Sequence, residues 1–167
     1  MCKHLQDILD RVVITEISSY IPTTATSAKN QKRGRYIVGE VRGSEAVDMI
    51  TAFNTGHDGS MSTGHANSAR DMLSRLENMI LMGMDIPLAA VKQQIASAID
   101  IMIHLGRIRD KSRRVLEITE IDGIQDGEIK MHTLYEFTED ASPRIGILQK
   151  KGQLQHVEKL KAAGLML

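Results

Sequence analysis

Residues 36 to 70 constrain the fold more than any other stretch, because they contain the same arrangement twice. A short apolar strand pattern at 36 to 38 is followed by glycines and a helix pattern, and the small-residue strand pattern at 60 to 63 is followed by another helix pattern. Strands that alternate with helices are typical of a parallel sheet with crossover helices. These residues therefore predict a fold of the α/β class.

The helix patterns are amphipathic, each with one apolar face. The first has apolar residues at i, i+3, i+4 and i+7, namely Ala46, Met49, Ile50 and Phe53. The second is expected to begin at a Ser68 cap, with Asp71 as a capping-box-like partner, and to end at Gly83. Its apolar stripe consists of Met72, Leu73, Leu76, Met79 and Ile80. A third helix is expected to have Pro87 at its first position.

The rest of the chain is read from alternation and composition. Alternating apolar residues between 99 and 137, with a hairpin signal at Asp126-Gly127, predict an antiparallel meander. The β-branched run at 12 to 14 predicts one more strand, and 154 to 160 a short terminal helix. The expected organisation is a degenerate N-terminal remnant and linker at 1–32, the main domain at 33–140, and a polar C-terminal tail with a short helix at 141–167.

Charge and hydropathy argue against nucleic-acid binding and against a membrane-spanning segment. The 21 basic and 21 acidic side chains give a net charge of zero, which argues against a nucleic-acid partner held by bulk phosphate attraction. No apolar run reaches the roughly 18–20 residues of a membrane span. The single cysteine, Cys2, fits a reducing compartment. We therefore expect a cytoplasmic protein without a direct membrane span.

Glu40 comes at the carboxyl end of the first strand pattern, where open α/β sheets bind their ligands. A carboxylate there can hold Mg²⁺ through water or orient an attacking water in phosphoryl transfer. The alternative is a structural acid that caps the following helix, since Glu40 and Glu45 flank its N-terminus. Taken alone, Glu40 favours the structural role.

His65 comes at the end of the second strand pattern. An imidazole there can donate a hydrogen bond to a terminal phosphate, or it can simply stabilise a strand-to-helix corner. His57 and His65 match no common metal-ligand spacing, so no metal site is predicted. Arg42 can clamp a phosphate or pair with a neighbouring acid, and the sequence does not decide between these roles.

Seven motifs, in the same order, resemble the secretion ATPases of the type II/type IV superfamily. They are YIVGEVRG (36–43), NTGHDGS (54–60), STGHANS (62–68), DMLSRLE (71–77), QIASAID (94–100), RIRDKSRRV (107–115) and EKLK (158–161). The resemblance covers about residues 33 to 167. It is strongest with the CpaF branch, whose members power the assembly of tight-adherence (Flp, type IVb) pili.

The resemblance implies a RecA-like core that hydrolyses ATP with Mg²⁺ and assembles into cytoplasmic hexamers beneath an inner-membrane platform protein. Glu40 matches the family's Walker B glutamate, and His65 matches the histidine of its histidine box. Glu16 falls on the first acid of the family's Asp box. Glu16 and Arg42 are therefore expected to be associated with the nucleotide and Mg²⁺.

One departure from the family is large. The phosphate loop G-x-x-x-x-G-K-[ST] is absent, since no Gly is followed by Lys, and that loop supplies the N–H cradle and the lysine for the β- and γ-phosphates. The expected fold is the C-terminal half of a RecA-like P-loop ATPase core, followed by an antiparallel β meander and a short terminal helix.

The expected function is that of a truncated secretion or pilus-assembly ATPase of the CpaF type, weak or inactive alone because it has no phosphate loop. The alternative is a non-catalytic interaction module that docks on full-length ATPase subunits or on the membrane platform.

Overall fold

A computed structural model describes the backbone of residues 11–15 and the residues 36–57, 59–139 and 146–158. The strands in this part of the chain are β1 Arg11–Thr15, β2 Ile37–Val38, β3 Ser60–Gly64, β4 Ile101–Arg107, β5 Arg113–Gln125, β6 Glu128–Glu139 and β7 Gly146–Lys150. The helices are α1 Ala46–Asn54, α2 Ala69–Gly83 and α3 Leu88–Ala98.

The strands form one mixed sheet in the order β2-β3-β1-β4-β5-β6-β7. The first four strands in this order are parallel, and β4 to β7 pair antiparallel as a meander. The α/β class and the antiparallel meander predicted from the sequence are therefore confirmed. Thr15, the last residue of β1, lies between Gly64 of β3 and His104 of β4.

The helices pack on one face of the sheet. Their apolar stripes form a single core cluster with Met102, Ile121 and Ile129 of the meander. Ile101, which alternates with Met102 along β4, belongs to a separate cluster on the other face with Leu134. The predicted stripes of α1 and α2 are fully buried. Each large side chain buried in this way contributes roughly 1.5–3 kcal/mol to the stability of the fold.

The ends of α2 and α3 match the sequence in part. Ser68 Oγ accepts a hydrogen bond of 3.0 Å from the backbone N–H of Asp71, as predicted. Gly83 ends α2, but its role differs from a left-handed cap: an added Cβ would lie 2.9 Å from Val47 Cγ2, so glycine permits close packing of α2 beside the start of α1. Pro87 precedes the first helical residue of α3 instead of occupying it.

The meander contains one predicted turn and one strand that the sequence did not predict. Asp126 and Gly127 have φ values of 52° and 79°, which suit the predicted two-residue hairpin. β7 lies in the stretch predicted as a polar tail. Its residues Ile147 and Leu148 are both exposed, so it lacks the in–out alternation that marks a strand.

The predicted terminal helix lies mostly outside the described residues: 154–157 are irregular and Glu158 is helical. Across the part of the chain that the structure covers, no helix has both the length and the apolarity needed to cross a bilayer.

Candidate functional site

The candidate site lies at the carboxyl ends of β2 and β3. These strands are parallel, with Val38 opposite Ser62, so the residues that follow them meet at one edge of the sheet. The pairing continues past β2, where the backbone N–H of Val41 donates to the carbonyl of Thr63 at 3.0 Å. This register brings Glu40 beside His65.

Glu40 contacts two basic side chains. Its Oε2 lies 2.5 Å from Nη2 of Arg42, and its Oε1 lies 3.0 Å from Nε2 of His65. The Glu40 side chain is 21% exposed, whereas those of Arg42 and His65 are 63% and 43% exposed. The acid is therefore sheltered beneath two side chains that solvent or a ligand can reach. The contact with His65 is an ion pair only when the imidazole is protonated.

The charges around Glu40 favour its ionised form. The hydrogen bond from Arg42 holds the pKa of Glu40 below its ordinary value against the opposing effect of burial, and the charges of His65, Arg42 and Arg75 lower it further. Glu40 Oε1 is buried and accepts no hydrogen bond among the described residues. Its contact with His65 Nε2, at 3.0 Å, is close enough for an ion pair but is not aligned as a hydrogen bond. An ionised carboxylate with an unsatisfied oxygen fits a water-mediated Mg²⁺ contact or a positioned water.

Glu45 has a structural role in the turn before α1, although its side chain does not cap that helix. Its Oε1 accepts hydrogen bonds from the backbone N–H groups of Arg42 at 2.7 Å and Gly43 at 3.0 Å, and these bonds lower the pKa of Glu45. They close the turn between β2 and α1 and fix the backbone that carries Arg42. A glutamate just before a predicted helix was the only sequence signal for this contact, and the sequence analysis did not predict that Glu45 closes the turn.

Arg75 was also missed. It lies on α2, one turn after Met72, whose Cε would contact a Cβ placed on Gly64 at the end of β3. The charge of Arg75 lowers the pKa of Glu40. Helical spacing from Ser68 could have placed Arg75 toward the site, but nothing in the sequence fixed how α2 packs on β3.

His57 does not belong to this site. It lies before β3, stacks on Tyr36 with ring centroids 4.4 Å apart, and has its Nδ1 3.2 Å from the carbonyl of Ala52. His65 follows the other end of the same strand, about 16 Å away at 3.3 Å per residue. The two imidazoles therefore cannot share a metal ion, and no metal-ligand cluster occurs within the described ranges.

Glu16 lies outside the described residues. The backbone of β1 ends one residue before it, at Thr15, and Thr15 pairs with Gly64 at the edge where Glu40 and His65 meet. The nucleotide-associated role of Glu16 remains a prediction.

Comparison with known proteins supports the resemblance at the level of the type II/IV secretion family. Residues 30–159 match the model of the family described as type II/IV secretion system protein. The conjugal transfer protein TrbB of Rhizobium radiobacter is 33% identical over 107 residues, which are 64% of this chain and 32% of TrbB. The type IV secretion system protein PtlH of Bordetella pertussis (strain Tohama I / ATCC BAA-589 / NCTC 13251) is 35% identical over 95 residues, 54% of this chain and 28% of PtlH.

A solved structure shows the same fold. The crystal structure of the VirB11 ATPase from the Brucella suis type IV secretion system superposes with a TM-score of 0.51 at 24% identity, covering 67% of this chain and 41% of that one. The chain thus has a partial RecA-like ATPase fold, and it spans less than a third of the length of TrbB or PtlH. Because the family model matches most of its residues, the chain belongs to the type II/IV secretion system protein family.

Proposed function

We propose that this chain carries the water-orienting and γ-phosphate-facing half of an ATP-hydrolysis site, in a secretion or pilus-assembly ATPase of the CpaF type. One observation carries the proposal: the ionised Glu40 after β2 meets His65 after β3 at the carboxyl edge of the parallel strands. The other assignments follow from how these side chains are held.

Each side chain has one task in the proposed reaction. Glu40 positions the attacking water for in-line displacement of the γ-phosphoryl group. His65, exposed beside it, donates an N–H to a γ-phosphate oxygen and relays its presence to α2, which begins at Ser68. Arg42 holds the Glu40 carboxylate and adds positive charge at the edge. When bound, Mg²⁺ neutralises charge on the phosphates, and Glu40 and Glu16 are the residues proposed to hold its waters.

The chain alone is proposed to bind ATP weakly. Its sequence has no Gly-Lys pair and so no phosphate loop of the G-x-x-x-x-G-K-[ST] type. Backbone N–H groups of such a loop and its lysine provide most of the phosphate contacts in P-loop sites. The site described here would therefore work with a phosphate-binding segment that another part of an assembly supplies.

We also propose the assembly typical of the intact family, a cytoplasmic hexamer that acts on an inner-membrane platform protein. Exposed apolar side chains where α2 leads into α3 offer a surface for an interaction role: Met82 is 73% exposed, Leu88 44% and Leu81 40%. The same surface would serve the alternative function, a non-catalytic module that docks on full-length ATPase subunits. ATP turnover by a chimera with TrbB separates the two functions, because only the hydrolytic one requires it.

A chimera tests the hydrolytic role directly. Residues 36–158 of this chain replace the matching segment of TrbB, which restores an N-terminal part, and ATP turnover is measured with Mg²⁺. We expect turnover that Glu40→Gln reduces by about 10²-fold to 10⁴-fold, the usual contribution of a positioned acid–base group. The matched control is Asp85→Asn, an exposed acid between α2 and α3, which should leave turnover unchanged. A folded chimera whose turnover does not depend on Glu40 would contradict the proposal.

A further inference from the structure

The backbone that leads from β2 to Glu40 is one residue longer than its pairing with β3 requires. Val38 lies opposite Ser62 in the parallel pairing of the two strands. In a regular parallel ladder the N–H of Glu40 would come next and would donate to the carbonyl of Thr63. The N–H of Val41 donates to that carbonyl instead, at 3.0 Å. The end of β2 therefore slips by one residue at Glu40, as strands do at a β-bulge.

The burial of the side chains shows the same slip. Tyr36 and Val38, two residues apart, both pack against the core cluster on the helix face of the sheet. Regular alternation predicts Glu40 as the next side chain on that face. The core residue is Val41 instead, which is 1% exposed and whose Cγ1 would lie 3.8 Å from a Cβ placed on Gly64. The slip therefore buries Val41 and keeps the carboxylate of Glu40 out of the apolar core.

Thr63 is bonded to the residues on both sides of Glu40. Its backbone carbonyl accepts the N–H of Val41, and its side-chain hydroxyl donates a hydrogen bond to the carbonyl of Gly39. The second bond needs a hydroxyl, because a carbonyl oxygen accepts only from a donor. Glu40 thus lies between two peptide groups that one residue of β3 holds in place.

The backbone beyond Glu40 is fixed separately. The Glu45 carboxylate accepts the N–H groups of Arg42 and Gly43, so residues 39 to 43 are held at both ends. Within this segment Glu40 Oε1 lies 3.0 Å from Nε2 of His65. A misplacement of about 1 Å at a reacting group can cost roughly 10²-fold in rate. The bonds that hold Glu40 therefore matter for any reaction that uses its carboxylate.

We propose that Thr63 is a positioning residue of the ATP-hydrolysis site. Its hydroxyl and its carbonyl hold the slipped backbone on either side of Glu40, so that the Glu40 carboxylate faces His65. The role of Thr63 rests on the proposed function, because hydrolysis is what requires this alignment. Thr63 acts through Glu40 and not on the nucleotide.

Nuclear Overhauser measurements on the whole chain test the alignment in the absence of nucleotide. The side-chain protons of Glu40 and the ring protons of His65 should give a cross-peak, because Oε1 and Nε2 are 3.0 Å apart. Thr63→Val, which keeps the shape of the side chain but has no donor, should lose or weaken this cross-peak. The Val41 amide should stay protected from solvent exchange in that variant, because the backbone carbonyl of residue 63 remains its acceptor.

Two further variants separate the hydroxyl from the fold. Thr63→Ser keeps the donor and removes only a methyl group, so it should retain the cross-peak. The matched control is Thr51→Val, which removes a hydroxyl that donates to the carbonyl of Val47 at 2.8 Å in α1, and it should leave the cross-peak unchanged. An unchanged cross-peak in Thr63→Val, or an equal loss in Thr63→Ser, would overturn the role of Thr63.

The result for Thr63 can be told apart from the result for ATP hydrolysis. The cross-peak is measured without nucleotide, whereas the hydrolytic role depends on whether Glu40→Gln reduces turnover in the TrbB chimera. Turnover that depends on Glu40, together with a cross-peak that survives Thr63→Val, rejects the role of Thr63 alone. A cross-peak lost in Thr63→Val, together with turnover that does not depend on Glu40, rejects the hydrolytic function and leaves Thr63 as the residue that holds Glu40.

Discussion

Among the single residues of the site, Glu40 is the one whose charge is set most directly by its neighbours. Arg42 lowers the pKa of Glu40 chiefly through a direct hydrogen bond, and His65 and Arg75 act through charge. A group whose pKa is depressed in the folded state adds stability above its unfolded pKa and loses that contribution as pH falls through the folded value. Glu40 should therefore stay ionised, and ready to position water, well into the acidic range.

The first prediction concerns Arg42. Arg42→Ala should raise the pKa of Glu40 toward its ordinary value, so that protonation of Glu40 and the loss of its contribution to stability begin at a higher pH. The carboxyl-carbon chemical shift of Glu40, followed through a pH titration, measures this change. Arg114→Ala, on an exposed residue of β5, is the control. An unchanged Glu40 pKa in Arg42→Ala would show that the contact between Arg42 and Glu40 does not hold the carboxylate in solution.

For helices and strands, the periodicity of apolar residues was sufficient to predict an element wherever one of its faces is buried. The stripes of α1 and α2 could be predicted because apolar residues repeat with the helical period against a buried face. β7 could not, because it lies at a sheet edge with Ile147 and Leu148 both exposed. The close packing at Gly83 could not be predicted either, because it depends on where Val47 of α1 lies in the fold.

The candidate site follows the same division. The positions of Glu40 and His65 at strand ends could be predicted because each follows a short strand within two residues. Their mutual contact needed the parallel register of β2 and β3, which sequence order alone leaves open. The turn closed by Glu45 and the approach of Arg75 depend on backbone geometry that has no periodic signal.

The second prediction concerns the start of α2, which directly follows His65. Ser68→Ala removes the side-chain acceptor for the Asp71 N–H and should destabilise the fold by about 1 kcal/mol, the usual value of an N-cap. Urea unfolding measures the change. Ser74→Ala, at an exposed position in the middle of the same helix, should be neutral or slightly stabilising. If both variants lose the same stability, the cap is not what fixes this helix end.

At the scale of the whole molecule, one buried acid ties the C-terminal segment to the sheet. Glu120 on β5 is 1% exposed, and its two carboxylate oxygens accept backbone N–H bonds from Gln155 at 2.8 Å and His156 at 2.9 Å. Leu154 packs into the cluster on the face opposite the helices. This segment therefore covers part of the sheet face that the helices leave open.

The third prediction concerns this anchor. Glu120→Ala removes both acceptors, so the amides of Gln155 and His156 should exchange with solvent deuterium at least about ten-fold faster, as expected when the opening costs about 1.4 kcal/mol less. Hydrogen-exchange measurements report this directly. The amide of Lys151, bonded to the carbonyl of Leu134 at 2.8 Å, is the internal control. Unchanged exchange at 155 and 156 would mean that other contacts hold the segment.

We propose that Glu40 and His65 form one wall of an ATP-hydrolysis site in a chain whose sequence contains no G-x-x-x-x-G-K-[ST] loop to hold the phosphates. ATP turnover by the purified 167-residue chain, measured with and without Mg²⁺, shows whether this wall can hydrolyse ATP without such a loop. We expect no turnover above background, in the unchanged chain and in Glu40→Gln alike. Robust Mg²⁺-dependent turnover that Glu40→Gln abolishes would contradict it.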